Sequence, residues 1–184
     1  MPIPLGILAV AGAGAAALSS DYELIQTSNV GNTSTLNITG LGTYTQYKHL
    51  QIRMVARSSR SSSTTDFVRL AFNNDSTTRD HLLSGSGASV TSSTNNLAGL
   101  RVCFVPAASS TANAFAVAVI DILDFNNSNK NTTIKSFSGL STATNSINLI
   151  SGFWNNTAAI TALNFEMDNG SFVSGSRFSL YGIK

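Results

Sequence analysis

Two histidines, His49 and His81, are the side chains best suited to acid–base chemistry in this 184-residue sequence. His81 directly follows Asp80 and precedes Ser84 by three positions, so the residue types of a hydrolytic triad occur together. Neighbouring residues of an extended strand point to opposite faces, so Asp80 is not expected to orient the His81 ring. This spacing argues against nucleophilic catalysis, and we predict neither catalytic residues nor a cofactor.

Metal coordination has few candidate ligands. A structural zinc site needs about four ligands, mainly cysteine and histidine, and the chain has one cysteine and two separated histidines. Residues 73–80, NNDSTTRD, carry the side-chain oxygens that Ca²⁺ prefers but not the EF-hand spacing, and turn formation explains the same residues. Asp121 and Asp124 are expected on opposite sides of a strand, which disfavours a paired-carboxylate hydrolase. We predict no metal site, with calcium at residues 73–80 as the open alternative.

Trp154 suggests a different chemistry, the stacking of an aromatic ring on a sugar. It is followed by Asn155 and Asn156, whose amides are suited to hydrogen bonding with hydroxyl groups. Tryptophan is heavily buried on average, so a core position at the end of a strand is the simpler expectation. If the ring is exposed, the candidate glycan contacts are Trp154, Asn155 and Tyr181.

The composition limits the possible partners. Charged residues make up 11% of the chain and the formal net charge is +2, whereas about 25% charged residues is usual. So small an imbalance gives no argument for nucleic acid as a partner. Arg53, Arg57 and Arg60 are expected to form an outward strand face that ends in a solvated loop. The lone cysteine, Cys103, lies in the apolar run LRVCFVP and is expected to be a buried small hydrophobe.

The elements that must position these residues are strands. The stretch HLQIRMVAR alternates Leu50, Ile52 and Met54 with residues suited to a wet face. Nine further short runs are also typical of strands, and helical periodicity is scarcely seen. Residues 84–96, SGSGASVTSSTNN, are predicted to be the longest loop because Ser, Gly and Asn favour turns. The pattern predicts an all-β chain with a single antiparallel β-sandwich, jelly-roll-like, over residues 21–184.

Residues 1–20, MPIPLGILAVAGAGAAALSS, contain no charged side chain and are predicted to be a separate apolar segment. A signal peptide should begin with Lys or Arg, but the first basic residue is Lys48. As a helix, residues 1–18 would reach about 27 Å, short of the ~30 Å hydrocarbon core, and their prolines and glycines disfavour helix. We therefore expect no membrane span. The remaining interpretation is an anchor that docks on a neighbouring subunit through Ile3, Leu5, Ile7, Leu8 and Val10.

Residues 153–184, FWNNTAAITALNFEMDNGSFVSGSRFSLYGIK, resemble a pattern in virion proteins of tailed bacteriophages. We expect this stretch to form a β-hairpin at the edge of the fold, with its turn at Asn169 and Gly170. Phe178, Leu180 and Gly182 are expected on one face of its closing strand. The match is carried by Trp154, Ala159, Ile160, Asn169, Gly170, Phe172, Gly175, Ser176, Phe178, Leu180, Tyr181 and Gly182.

The resemblance implies a component of a phage particle, such as a tail fibre, receptor-binding or head-decoration subunit. The expected function is therefore that of a non-enzymatic structural subunit of the virion, held to neighbouring subunits by residues 1–20. Its expected partners are copies of itself and other virion proteins. The alternative is a carbohydrate-binding or adhesion module whose partner is a glycan of the host surface.

Overall fold

The structure is a computed structural model that describes residues 21–95, 98–142 and 145–184. The anchor predicted for residues 1–20 lies outside the described residues. A 3₁₀ turn spans Leu41–Thr43, and the remaining elements are all strands. They are β1 (Tyr22–Val30), β2 (Thr35–Thr39), β3 (His49–Ala56), β4 (Thr65–Phe72), β5 (Thr78–Ser86), β6 (Ser89–Asn95), β7 (Leu100–Pro106), β8 (Ala116–Leu123), β9 (Thr133–Leu140), β10 (Ser146–Trp154), β11 (Ala162–Met167) and β12 (Ser176–Ile183).

These strands form two antiparallel sheets packed face to face, which confirms the all-β sandwich. The larger sheet has eight strands in the order β1-β12-β3-β8-β9-β10-β5-β6, and the smaller has four in the order β2-β11-β4-β7. The chain alternates between the sheets from β1 to β4, from β7 to β8 and from β11 to β12. Strands β5, β6, β9 and β10 instead lie side by side and form one half of the larger sheet. No helix in the described part of the chain has the length and hydrophobicity needed to cross a membrane.

The core lies between the two sheets. In β3, Leu50, Ile52 and Met54 point inward and are buried, as their alternation predicts. The Phe165 ring on β11 meets the Phe178 ring on β12 at a centroid distance of 4.9 Å, so aromatic packing joins the sheets. Removing such apolar surface from water stabilises the fold by about 25 cal/mol per Å².

Two strands lie where the sequence predicts turns and a loop. β5 pairs with both β10 and β6. Its inward positions include Thr78 and Asp80, so the period of two is present but mostly polar. β6 is exposed along nearly its whole length on both faces, which leaves no apolar alternation to reveal it. The predicted loop at residues 84–96 is wrong because backbone pairing, and not apolar burial, holds most of this hairpin.

The predicted hairpin near the end of the sequence is also wrong. β11 pairs with β2 and β4 in the smaller sheet, whereas β12 pairs with β1 and β3 in the larger one. Neither strand is at an edge, and the segment between them crosses from one sheet to the other. Gly170 packs in this crossing so closely that a Cβ would overlap the Ser58 hydroxyl oxygen. The prediction that Phe178, Leu180 and Gly182 share one face of the strand is confirmed, and this face is the buried one.

Arg57 is buried, contrary to the prediction of a solvated basic face. Its guanidinium donates to the carbonyl oxygens of Thr111, Ala114 and Ala107 at 2.7 to 2.8 Å. These carbonyls belong to the loop between β7 and β8, which wraps around the charged group. A charge can stay buried when several hydrogen bonds replace its water shell. Arg57 therefore organises a loop, while Arg53 lies on the outer face of the larger sheet.

Candidate functional site

The outer face of the larger sheet carries large apolar side chains that the described residues leave uncovered. Their exposed fractions lie between 38% and 69%, and they come from the five neighbouring strands β8, β9, β10, β5 and β6. We call this set the apolar patch. Its members are Leu83, Val90, Val117, Val119, Phe137, Ile147 and Leu149.

Strand register arranges part of the apolar patch in a continuous row. Val119 lies opposite Phe137, Phe137 opposite Leu149, and Leu149 opposite Leu83. Directly opposed side chains in antiparallel strands have Cβ atoms about 4.5–5.5 Å apart, so these residues form one apolar strip. The strip crosses four adjacent strands without a charged residue.

A second row runs beside the first one and contains two glycines. Gly139 lies between Val117 and Ile147, and Gly85 lies between Ile147 and Val90. Because glycine has no side chain, Gly139 leaves a depression between its two aliphatic neighbours. The outer face is therefore grooved as well as apolar.

The first row separates two concavities. The first, of about 590 Å³, is lined by Val55, Val117, Val119, Phe137 and Ile147, with polar residues of β3 and β12 at its border. We call it the apolar groove. The second concavity, of about 1040 Å³, lies on the other side of the row and is more polar, with a lining that includes Arg79, His81, Asn131, Ser151 and Phe153.

The sequence of β8 explains how the apolar patch arises. In AVAVIDIL the inward positions Ala116, Ala118, Ile120 and Ile122 are apolar, and so are most of the outward ones. Strands that are apolar on both faces are usual where both faces are covered. This doubly apolar run was a readable signal for an apolar outer surface, which the sequence-based prediction of site residues missed.

The border of the apolar groove is aromatic and polar. The rings of Tyr22 and Tyr181 stack with centroids 4.7 Å apart. The Arg53 guanidinium lies 5.3 Å and 5.0 Å from those two centroids, within the range of a cation–π contact. Gln51 accepts a hydrogen bond from the Tyr22 hydroxyl and donates one to Asp121. Burial raises the pKa of Tyr22, against the opposing effect of Arg53.

A buried ion pair connects the half of the larger sheet formed by β5, β6, β9 and β10 to the smaller sheet. Asp80 on β5 accepts hydrogen bonds from the Arg101 side chain at 2.6 and 3.0 Å and from the Arg101 backbone N–H at 2.9 Å. Asn95 on β6 donates to the same carboxylate at 3.1 Å. Strands β5, β6 and β7 are thereby joined through one side chain. This anchoring holds the strands that carry Leu83 and Val90.

The residues predicted to contact a glycan are not brought together. Trp154 is 1% exposed, packs on Phe72 and donates from Nε1 to Asp75 at 3.0 Å. Its core position, the simpler expectation, is confirmed, so Trp154 offers no platform for a sugar. Asn155 is exposed just after β10, whereas Tyr181 lies on β12, four strands away in the larger sheet. The proposed glycan set of Trp154, Asn155 and Tyr181 therefore does not form one site.

The residues considered for catalysis are also separated. Asp80 faces inward and is buried while His81 is exposed on the other face, so the predicted opposition is confirmed. Asp121 bonds to Gln51 on the outer face, whereas Asp124 lies beyond β8 and contacts Lys130 and His49. Within the ranges that the structure describes, no three His, Cys, Asp or Glu side chains are grouped to hold a metal ion.

The oxygen-rich loop considered for calcium uses its carboxylate within the protein. One oxygen of Asp75 accepts from the hydroxyl and the backbone N–H of Thr77. The other accepts from Trp154 and, at 3.3 Å, from Asn156. The Thr77 hydrogen bonds, supported by Asn156 and Trp154, lower the pKa of Asp75 to about 2. Turn formation and attachment of Trp154 therefore account for this carboxylate.

Cys103 lies in β7 and is fully buried, as predicted from its apolar run. Burial raises the pKa of its thiol to about 12. A thiol in this setting is protonated at neutral pH, and the thiolate is the reactive form. Cys103 thus serves as a small core residue.

No protein-family model matches this chain, and comparisons with curated proteins and with solved structures likewise gave no match. Its function must be argued from the residues and their geometry.

Proposed function

We propose that this chain is a non-enzymatic structural subunit of a larger assembly, a tailed-phage virion, which docks to neighbouring subunits through residues 1–20. The observation that carries the proposal is the apolar patch, a continuous surface on five neighbouring strands that the described residues leave uncovered. Extended apolar patches are uncommon on monomeric proteins and mark interaction sites. In an assembly, such a patch is covered by a neighbouring subunit.

The neutral surface supports the same proposal. Only 11% of the residues are charged, and the rows that form the apolar patch contain none. Depletion of charge is the compositional signal of an interface core, because desolvating a charge is costly. When a surface rich in Ser, Thr and Asn packs against a copy of itself, few charged groups need to be desolvated.

The assignment to a phage particle rests on the resemblance of residues 153–184. Strand order supports it at the level of architecture. When β5, β6, β9 and β10 are set aside, the sheets read β1-β12-β3-β8 and β2-β11-β4-β7. We infer from this order that the fold is jelly-roll-like, an architecture that occurs in viral capsid and lectin domains. Since one fold hosts many functions, the order supports the proposal only by analogy.

The experiment that tests assembly measures the mass of the full chain by sedimentation velocity. We expect the unaltered chain to form discrete oligomers and a five-serine variant to sediment near the monomer mass of 19.3 kDa. A monomeric unaltered chain, or a five-serine variant with unchanged mass, would contradict the proposal. The variant replaces Ile3, Leu5, Ile7, Leu8 and Val10. A matched control places serine at Ala11, Ala13, Ala15, Ala16 and Ala17 and is expected to keep the oligomer.

The virion assignment needs a separate test, mass spectrometry of purified phage particles from a host that carries this gene. We expect the chain to be a stoichiometric component of the particle. Its absence from particles that are otherwise complete would remove the phage assignment and leave the assembly proposal standing.

A carbohydrate-binding module is the second candidate, favoured by the 1040 Å³ concavity. This concavity combines the Phe153 ring with hydrogen-bonding groups of Arg79, His81 and Asn131, a mixture suited to a sugar. Glycan-array binding that His81→Ala weakens at least tenfold would support it. If this substitution leaves glycan binding unchanged, any glycan site lies elsewhere on the protein.

A further inference from the structure

We propose that the apolar groove is the docking site for residues 1–20 of a neighbouring copy of this chain. The inference rests on the proposed function, because it names the surface that receives the anchor. It assigns the apolar groove, and not the edges of the sheets or the more polar concavity, as the receiving site.

The chemistry of the two surfaces matches. The anchor contributes aliphatic side chains at Ile3, Leu5, Ile7, Leu8 and Val10 and has no charged residue to desolvate. The apolar groove is lined by three valines, Phe137 and Ile147, and the depression at Gly139 leaves space for an aliphatic side chain. The charged groups, Arg53 and Arg177, lie at its border. Apolar contact at the centre with polar groups at the rim is the usual anatomy of an interface.

The length of the anchor also fits. One side of a standard protein interface comprises about 20–30 residues and about 800 Å², and residues 1–20 are a segment of that size. An interface of that size is typical of stable protein complexes, whereas the contact of a single side chain is not.

The path of the chain favours a neighbouring copy over the same copy. Residue 21 leads directly into β1, where the Tyr22 ring lies at the border of the outer face. A segment that returned to its own groove would have to reverse direction and cross the rim of Tyr22, Tyr181 and Arg53. Twenty extended residues span at most about 66–72 Å, so a neighbouring groove is within reach without that reversal.

Disulfide cross-linking between two differently altered full-length chains tests the docking site. One chain carries a single cysteine at position 3, 5, 7, 8 or 10, and the other carries Ile147→Cys. Cys103 is buried, which keeps it from exchanging. We expect at least one of the five mixtures to form a covalent dimer of twice the 19.3 kDa chain mass under mild oxidation. The matched control is Glu166→Cys, exposed on the smaller sheet, which should not cross-link.

The possible outcomes separate the inference from the proposed function. If the chains still assemble but none of the five mixtures cross-links through Ile147→Cys, the docking site is wrong and the assembly proposal survives. A third chain carries Ile147→Cys together with one of the five anchor cysteines. If linkage occurs only within this chain, the anchor folds back on its own groove and the neighbouring-copy assignment is overturned. If the unaltered chain does not assemble at all, the proposed function itself fails.

Groove variants provide an independent measurement. We expect Phe137→Ser combined with Ile147→Ser to weaken self-association at least tenfold, as for central interface residues. Leu24→Ser is the matched control, since Leu24 is 57% exposed on the same face but outside the apolar groove. Both variants should unfold at the temperature of the unaltered monomer. Equal association by the groove variant and the control would overturn the assignment.

Discussion

The two faces of the larger sheet carry similar residues but meet different surroundings. In β10, Ile150 points inward and is fully buried against the core, while Ile147 points outward and is 60% exposed. In β8, Ile120 is fully buried and Val119 is exposed. The inner positions of β8 and β10 are buried beneath the smaller sheet, whereas the described residues leave most of their outer positions exposed. Hydrophobic alternation thus determines which residues share a face, but not what covers that face.

This difference has a consequence for energetics. Inner residues have already contributed their burial to the stability of the monomer, whereas outer residues can contribute only when a partner arrives. Substitutions on the inner face should therefore change the free energy of unfolding, and substitutions on the outer face should change association. Paired substitutions on the two faces test that division.

The largest effect is expected from the ion pair on the inner side of β5. Asp80→Ala leaves the Arg101 guanidinium without its main partner, and breaking a buried pair costs about 3–5 kcal/mol. We expect the free energy of unfolding, measured by urea denaturation, to fall by this amount. The matched control is His81→Ala, the next residue but on the outer face, which should change stability by less than about 0.5 kcal/mol. Similar losses for both variants would mean that the two faces are not energetically distinct.

The same comparison can be made with one residue type in one strand. Ile150→Ala should lower the free energy of unfolding by about 2–5 kcal/mol, because it leaves a cavity in the core. Ile147→Ala should lower it by less than about 0.5 kcal/mol. Both are best measured in the five-serine background, so that assembly does not contribute. A large loss for Ile147→Ala would show that its face is already covered within the monomer.

The smallest effect concerns the turn that holds Trp154. Asp75 has a folded-state pKa of about 2, below its unfolded value of 3.8, so its hydrogen bonds stabilise the fold above pH 4. That contribution is lost as the pH falls from about 4 to 2. Because solvent screens this carboxylate, we expect the loss in the free energy of unfolding to be about 1 kcal/mol. The free energy of unfolding of Asp75→Asn should depend less on pH over this interval than that of the unaltered chain. A pH profile equal to that of the unaltered chain would contradict the stabilising role of Asp75.

The sequence predicted ten of the strands because their apolar residues recur at every second position. It missed β5 and β6, where the inward positions hold Thr78 and Asp80 and the hairpin is held by backbone pairing. It also predicted a hairpin where β11 and β12 lie in different sheets. An apparent turn between two strands does not specify whether they pair, because crossing between sheets uses similar turn residues.

The candidate site was predicted only in part. The absence of charged side chains from residues 1–20 is evident from the sequence, but the apolar patch depends on register, which brings Val119, Phe137 and Leu149 together across β8, β9 and β10. The burial of Arg57 was equally hidden, because the carbonyl groups that surround it come from a loop about fifty residues later, as its bond to Thr111 illustrates. Contacts between distant parts of the chain leave no local signal.

By itself the sequence determined the class of fold, the inward positions of β3, the burial of Cys103 and the low charge of the chain. These properties follow from local composition and period, since successive side chains of a strand point to opposite faces and apolar alternation marks the buried one. Only the tertiary structure decided which strands pair, that Trp154 faces the core, and that Leu83, Phe137 and Ile147 form one open surface. Those outcomes depend on strand order and register, which long-range pairing sets and local sequence does not.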